Sequence, residues 1–403
     1  MASLPAALAD ATSSWPRRPG PVLDWLIGDA RWLPDGRTLL SQLSIRLIEA
    51  GLPLTRASFH IRTLHPQLFG IGIYWQRDAG DIRVFRAERG IERTDLFLRS
   101  PMRVLFEGAG AVRQRLDLAD TEFAFPLFQE LRQQGLTDYV ALPVTFSDGK
   151  IHGTTWSSDR PGGFSSEDLV RIEDLLPVYG ALLEIHFKRY VAVTLLDTYV
   201  GHRAGERILD GEITRGSGAT VSAAIWYCDL RGFTALSERL GRDALLACLN
   251  DYFDAMGGAV EVHGGEILKF IGDAMLAIFP LEDDQACQRA LRAAVDARAA
   301  MAALNARRHE RGDETLGFGI ALHAGEVMYG NIGSARRLDF TIIGPAVNLA
   351  TRIEGLCRTL GHDLLISDRF AYYFIGWDLR SLGHHHLAGI ARPVEVFTLP
   401  EAA

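Results

Sequence analysis

A short hairpin pattern constrains the fold of this chain more than any other feature. Residues 264–280 read GGEILKFIGDAMLAIFP, and two apolar runs, 267–271 and 274–279, flank the pair Gly272-Asp273. Short apolar runs of this kind are typical of buried strands, and a Gly-Asp pair between them indicates a tight turn. The pattern therefore predicts two antiparallel strands with the carboxylate of Asp273 at the turn.

A second carboxylate ends a buried strand upstream. Residues 220–229 read TVSAAIWYCD, a β-branched and aromatic run that predicts a strand ending at Asp229. Gly232 and a helical pattern follow, and a helix N-terminus favours phosphate groups. Two carboxylates at strand ends of one sheet can hold two divalent cations about 4 Å apart. Magnesium binds oxygen ligands and accepts few protein carboxylates when substrate phosphates supply the others.

A third element, residues 338–356, reads LDFTIIGPAVNLATRIEGL. It predicts a short strand over 339–343 and a helix that begins after Gly344 at Pro345, a residue well tolerated in a first helical turn. Asn348 and Arg352 are four residues apart and share one helix face. An arginine matches phosphate oxygens, and an asparagine can position a hydroxyl.

These three elements, in this order and spacing, resemble the catalytic domain of the class III adenylyl/guanylyl cyclases over residues 220–399. The resemblance implies an α/β (α+β) fold with a ferredoxin-like βαββαβ core and a mostly antiparallel sheet. It implies an adenylate cyclase that converts ATP to 3′,5′-cyclic AMP and pyrophosphate, with two Mg²⁺ (or Mn²⁺) ions per active site. It also implies a homodimer whose sites are shared between subunits.

The resemblance assigns a role to each site residue. Asp229 and Asp273, with the backbone carbonyl of Leu230, match the metal-binding positions. Asn348 and Arg352 match the pair that stabilises the transition state. The remaining positions would bind the nucleotide, with Lys269 and Thr341 at the base and Arg231, Gly232, Phe233, Thr234 and Arg392 at the phosphates.

The base-reading pair favours ATP. Adenine N1 accepts a hydrogen bond, which suits Lys269, and the adenine amino group can donate to the Thr341 hydroxyl. Guanine has the reverse pattern, because its N1–H donates a hydrogen bond and its O6 accepts one. The family often has Asp where this chain has Thr341, and the Lys/Thr pair resembles a subgroup linked to bicarbonate stimulation. The alternatives are a guanylate cyclase, a diguanylate cyclase of the GGDEF type and a catalytically degenerate nucleotide or ligand sensor.

The N-terminal half has another pattern. Residues 56–62, 69–75, 82–86, 138–145 and 152–157 predict strands, the last two joined by the Asp-Gly turn at 148–149, and Ser165 with Asp168 predicts a capped helix. This order resembles a GAF domain, a sensory module for an unknown small ligand or signal; a PAS-like domain is the alternative. The predicted organisation is a flexible segment (1–35), a GAF-like domain (36–188), a helical connector (189–217) and the cyclase domain (218–403).

The composition of the chain limits the classes of partner that we expect for it. The net charge is −8, and nothing in this balance provides the basic face of a nucleic-acid-binding protein. The four cysteines are scattered without metal-ligand spacing, which is typical of a protein in the reducing cytoplasm. No run of about 18 apolar residues predicts a membrane span.

Overall fold

A computed structural model describes residues 20–118, 122–282, 285–374 and 378–400, and the chain divides into two compact units, 1–195 and 196–403. The part of the predicted flexible segment before residue 20 lies outside the described residues.

The N-terminal unit is built on one antiparallel sheet. Its strands, in chain order, are β1 (Arg56–Arg62), β2 (Leu68–Gln76), β3 (Arg83–Glu88), β4 (Val112–Arg115), β5 (Asp138–Thr145) and β6 (Ile151–Ser158). The sheet order is β3-β2-β1-β6-β5-β4. Its helices are α1 (Pro21–Gly28), α2 (Gly36–Glu49), α3 (Asp95–Leu98), α4 (Pro101–Phe106), α5 (Pro126–Gln133) and most of α6 (Ser166–Val200). All five predicted strands are present.

The prediction that residues 21–35 are flexible is wrong. Pro21 opens helix α1 at a position where its missing N–H costs nothing, and Val22 and Leu26 are buried in the core of the unit beside Leu39 and Leu43 of α2. The apolar sequence PVLDWLI was therefore the start of the core and not part of the flexible segment.

Helix α6 begins with the predicted capping box. The Ser165 backbone N–H donates to Asp168 Oδ2 at 2.8 Å, and the Asp168 N–H donates to Ser165 Oγ at 3.2 Å. The helix runs on through Pro177, and the division between the units falls inside it, after Leu195.

The second half of the predicted connector belongs to the C-terminal unit. Helix α7 (His202–Leu209) buries Ala204 within this unit's core, and the Arg207 guanidinium lies 5.4 Å from the ring centres of both Tyr329 and Phe340. This apolar and cation–π packing makes α7 part of the C-terminal unit, so the assignment of 202–209 to a separate connector is wrong.

The rest of the C-terminal unit follows in chain order. Its strands are β7 (Gly218–Arg231), β8 (Glu266–Ile271), β9 (Ala274–Pro280), β10 (Gly317–Gly333), β11 (Leu338–Ile343), β12 (Leu364–Ser367), β13 (Arg380–His385) and β14 (Val394–Thr398). Its helices after α7 are α8 (Phe233–Arg239), α9 (Arg242–Val262), α10 (Ala286–Glu310), α11 (Pro345–Glu354), α12 (Leu356–Leu360) and α13 (Asp368–Tyr372).

The sheet of this unit is mostly antiparallel. Its order is β13-β14-β12-β10-β7-β9-β8, with β11 paired to β10. Within it, β7, β8, β9 and β10 alternate with α9 and α10 as β-α-β-β-α-β and lie in the order β10-β7-β9-β8. The mixed α/β fold with an antiparallel-rich sheet agrees with the sequence prediction.

The cysteines do not form disulfide bonds among the described residues. All four cysteines are unpaired and buried, and burial raises the pKa of Cys228, Cys287 and Cys357 to about 12. Within the described ranges, no helix is both long and apolar enough to cross a membrane.

A buried ion pair stabilises the N-terminal sheet. Asp138, at the start of β5, is fully buried and accepts from Arg113 Nη2 at 2.7 Å and from the Phe164 backbone N–H at 2.9 Å. Arg113 also donates to the Phe164 carbonyl at 2.8 Å. The cluster therefore joins β4, β5 and the segment that precedes α6.

We expect Asp138→Ala to destabilise the N-terminal unit by about 3 kcal/mol, because it leaves the Arg113 charge partly buried without its partner. Calorimetry of the full chain should show the transition of this unit lowered by roughly 6–12 °C. Glu107→Ala is the matched control, because Glu107 pairs with Arg103 on the surface. An equal shift in both variants would contradict the structural role of the buried pair.

Candidate active site

The central strand pairing brings two carboxylates together. Strand β7 pairs with β9 so that Cys228 lies opposite Met275, which places Asp229 at the end of the ladder beside the turn that holds Asp273. The side chains of Asp229 and Asp273 interact directly, and burial and the Asp273 charge raise the pKa of Asp229 to about 6. Two carboxylates this close disfavour each other's charged form, and a bound cation would relieve that repulsion.

The donor set fits a hard divalent cation with few protein ligands. Asp229 also accepts a hydrogen bond from the Leu230 N–H at 3.0 Å, which fixes its carboxylate at the strand end. In the described parts of the chain, no cluster of three or more Asp, Glu, His or Cys side chains is arranged to hold a metal. Two carboxylates alone suit Mg²⁺ or Mn²⁺ only when a substrate contributes further oxygen ligands.

The two predicted base-reading residues lie on adjacent elements. Lys269 on β8 donates to Asp339 Oδ2 at 2.5 Å, and Asp339 lies on β11 two residues before Thr341. The hydrogen bond from Lys269 lowers the pKa of Asp339. Asp339 is not among the site residues predicted from the sequence, although its position at the start of the strand that carries Thr341 could have indicated it.

The predicted transition-state pair projects from α11. Asn348 and Arg352 are both exposed on this helix. Among the described residues, no hydrogen bond or ion pair joins either side chain to Asp229 or Asp273 of the same chain. Within one chain, the structure therefore leaves these two side chains free to contact another molecule.

The predicted phosphate-binding segment joins strand β7 to helix α8. Gly232 adopts the left-handed φ of 73° that turns the chain from β7 into α8, and Thr234 is exposed. Arg231, however, directs its Nη2 to the His362 carbonyl at 2.6 Å. This hydrogen bond uses one of the five N–H donors of the guanidinium, and Arg231 Nε has no partner among the described residues.

Arg392, the last predicted phosphate ligand, is exposed in the segment before β14. In the part of the chain that the structure describes, it has no ion pair with an acidic side chain. The structure does not bring Arg392 together with the carboxylate pair.

A third carboxylate lies near the pair and was missed by the sequence analysis. Burial and the charge of Asp229 raise the pKa of Glu354, on α11, to about 7. A side chain at Gly319 would collide with Glu354, and Gly319 is the residue opposite Asp229 in the β7–β10 ladder. The glycine therefore makes room for Glu354 beside the site.

The C-terminal unit is similar in sequence to proteins of known family. Residues 217–367 match the family described as "Adenylate and Guanylate cyclase catalytic domain". The C-terminal unit contains a class III adenylyl/guanylyl cyclase catalytic domain. The cyclase domain includes the carboxylate pair, Lys269, Thr341, Asn348 and Arg352, whereas Arg392 lies beyond the matched residues.

Individual relatives of the cyclase domain are similar over parts of their length. An adenylate cyclase of Anabaena cylindrica is 39% identical over 157 residues, which cover 38% of this chain and 31% of that protein. Adenylate cyclase 1 of Rhizobium meliloti is 30% identical over 143 residues, or 35% of this chain and 22% of that protein. The chain thus spans less than a third of either relative.

A solved structure is also similar. The crystal structure of an adenylyl cyclase from P. aeruginosa is 28% identical, with a TM-score of 0.43, and the match covers 46% of this chain and 97% of that one.

We expect Asp229→Asn to stabilise the protein in the absence of divalent cations. The folded-state pKa of about 6 exceeds the ordinary value of 3.8, so the charged carboxylate lowers folding stability as pH rises through this interval, and the loss is complete above it. At pH 7.5 the gain should be roughly 1 kcal/mol after solvent screening. Urea unfolding in the presence of EDTA measures this gain in the free energy of unfolding.

At pH 5 the gain should shrink, because wild-type Asp229 is then largely protonated. Asp254→Asn, on the exposed surface of α9, is the control and should change little at either pH. A gain of the same size at both pH values would contradict an electrostatic cause.

Proposed function

We propose that the chain is an adenylate cyclase that converts ATP to 3′,5′-cyclic AMP and pyrophosphate at a two-metal site. The observation that carries the proposal is the interacting pair Asp229 and Asp273 inside the matched cyclase domain. Both curated relatives described above are adenylate cyclases by name.

The choice of ATP over GTP depends on Lys269. An ammonium group has three N–H donors, so its hydrogen bond to Asp339 leaves donors for adenine N1. Asp339 holds the flexible lysine side chain at the start of β11, which reduces the entropy lost when the base binds. Thr341, half-exposed on the same strand, can accept from the adenine amino group.

The chemistry is an intramolecular displacement, in which the ribose 3′-hydroxyl attacks the α-phosphorus and pyrophosphate leaves. Cations held by Asp229 and Asp273 would lower the pKa of the hydroxyl and balance the charge of the leaving group. Arg352 would offset the charge that develops on the α-phosphate, an effect typically worth about 10²–10³-fold in rate. Asn348, one turn earlier, would hold the ribose.

The site would be completed by a second copy of the chain. Among the described residues, no hydrogen bond or ion pair joins Asn348 or Arg352 to the carboxylate pair of their own chain. Large apolar side chains are exposed at the β8–β9 turn and along β10 and β11, namely Phe270, Ile271, Met328, Leu338 and Ile343. An exposed apolar patch next to Lys269 is typical of an interface. A head-to-tail homodimer would bury it and give two shared sites.

We further propose that the N-terminal unit is a GAF-like sensory domain that regulates the cyclase domain. Its antiparallel sheet, with apolar helices on one face, supports this proposal. Bicarbonate stimulation, suggested by Thr341, is part of the same proposal.

The purified protein should form cyclic AMP from ATP with Mg²⁺ or Mn²⁺. GTP should be a much poorer substrate, and Lys269→Glu should reduce the preference for ATP, because a carboxylate accepts from guanine N1–H. Chromatography of the cyclic nucleotide products measures the activity with each nucleotide and the change in preference. Formation of cyclic GMP in preference to cyclic AMP would indicate a guanylate cyclase, and no product from either nucleotide would indicate a degenerate sensor.

Shared sites can be tested by complementation. Asp273→Ala and Arg352→Ala should each lose about 10²-fold or more of the activity. A mixture of the two should recover part of it, since one site of each heterodimer keeps all its residues. Arg358→Ala, exposed on α12, is the control for loss of a nearby arginine. Heterodimers that form without recovery would contradict shared sites.

A further inference from the structure

The sheet of the N-terminal unit has two chemically different faces. Successive residues of a strand point to opposite faces. In β1, the alternating residues Ala57, Phe59 and Ile61 join the apolar core formed with α1, α2 and α6. The intervening residues of β1, Arg56, Ser58 and His60, lie on the other face.

Neighbouring strands continue the polar face. Ser58 lies opposite Tyr74 of β2 and Thr155 of β6, and Arg56 lies opposite Ser157. Tyr139 of β5 also lies opposite Ser157. We call this surface the polar floor: Arg56, Ser58, His60, Tyr74, Tyr139, Thr155 and Ser157.

The polar floor is not a solvent-exposed sheet surface. Ser58, Tyr139, Thr155 and Ser157 are all buried. A sheet covered on both sides is normally apolar on both faces, because unmatched polar groups are costly to bury. A buried polar face therefore requires a compensating partner.

A cavity of about 1000 Å³ lies over the polar floor, between it and the segment that contains α3, α4 and α5. Its other walls combine exposed charged and polar side chains with a group of apolar and aromatic residues that includes Phe69, Phe97, Met102, Phe106 and Leu127. Phe97 contacts both Phe69 and Phe106, with ring centres 5.4 and 6.1 Å apart. Cavities of this size and mixed lining hold small organic ligands.

Some polar groups of the floor are satisfied and others are not. The Ser58 hydroxyl is within 2.8 Å of His60 Nε2 and 2.5 Å of the Thr155 hydroxyl. Burial, reinforced by the nearby Arg56 charge, lowers the pKa of His60 to about 4, so the imidazole is neutral at pH 7. Within the described residues, the Tyr139 hydroxyl forms no hydrogen bond, although it is not one of the enclosed polar atoms, and Arg56 forms no ion pair.

The charged side chains that line the cavity differ in burial. Arg56, half-buried and 5.5 Å from the Tyr74 ring centre, is the permanent charge of the polar floor. The other charged side chains of the lining are all exposed: Asp81, Asp95, Glu130, Arg83 and Arg99. A half-buried guanidinium without a carboxylate partner favours an anionic ligand group.

We infer that this cavity binds an amphipathic organic anion, whose acidic group contacts Arg56 and the Tyr139 hydroxyl and whose ring-containing apolar body packs between Phe69, Phe97 and Phe106. The inference rests on the sensory role proposed for the N-terminal unit, and because the site lies wholly within this unit it does not depend on cyclase activity.

Two fluorescent probes that differ only in charge test the inference. 8-Anilinonaphthalene-1-sulfonate carries one sulfonate, and N-phenyl-1-naphthylamine is its uncharged parent. The full-length protein should bind the sulfonate probe saturably at one site per chain, and more tightly than the neutral probe. Arg56→Met keeps the length of the side chain and removes its charge, so it should weaken sulfonate binding about tenfold or more and leave neutral-probe binding nearly unchanged.

Two further variants keep the test decisive. Arg189→Met removes an exposed arginine of α6 that does not line the cavity, and it should leave both probes unaffected. Tyr139→Phe removes one hydroxyl at nearly constant volume and should weaken the sulfonate probe severalfold even if Arg56→Met does not fold. Sulfonate binding that is absent, unsaturable, unchanged in both cavity variants or weakened equally with the neutral probe would overturn the inference.

Discussion

The pairing of β7 with β9 on one side and β10 on the other determines the arrangement of the cyclase domain. Ala224, Trp226, Cys228 and Leu230 of β7 face the core cluster that includes α9 and α10, whereas Ala223, Ile225 and Tyr227 face the cluster that includes α11. Asp229 continues the second series. A slip of one residue would exchange the two faces and move Asp229 into the apolar core.

The same register explains why three carboxyl groups lie near one another at one end of the sheet. Asp229, Asp273 and Glu354 come from β7, the β8–β9 turn and α11, and burial raises the pKa of Asp229 and Glu354. Groups held in an unfavourable electrostatic state reduce folding stability, and such costs are typical of functional sites. The positive charge of Lys269, in contrast, is balanced by an ion pair with Asp339 in the absence of substrate.

Local patterns were enough to predict much of this arrangement. The Gly272-Asp273 turn, the strand that carries Asp229 and the Ser165/Asp168 capping box depend on near neighbours, and the structure contains all three elements, although the strand runs on to Arg231 and does not end at Asp229. Short helices such as α3, and strand β4, were missed because they carry too few residues for periodicity to be recognised.

The long-range features could not be predicted in the same way. The Lys269–Asp339 pair joins residues 70 apart, and the position of Glu354 depends on how α11 packs beside Gly319. The polar floor likewise depends on the register of β1 with β2 and β6. Helix α1 was assigned to a flexible segment because the Pro- and Ser-rich residues before it obscured its short apolar pattern.

The buried cysteines have a practical consequence for spectroscopy. Thiolates are the form that reacts with maleimides, and the four native thiols are both inaccessible and held with raised pKa values. A single cysteine introduced at an exposed site such as Arg189 or Val262 would therefore be labelled selectively in the native protein. Two introduced cysteines, one in each unit, would allow the distance between the units to be measured by label-based spectroscopy, without removal of any native cysteine.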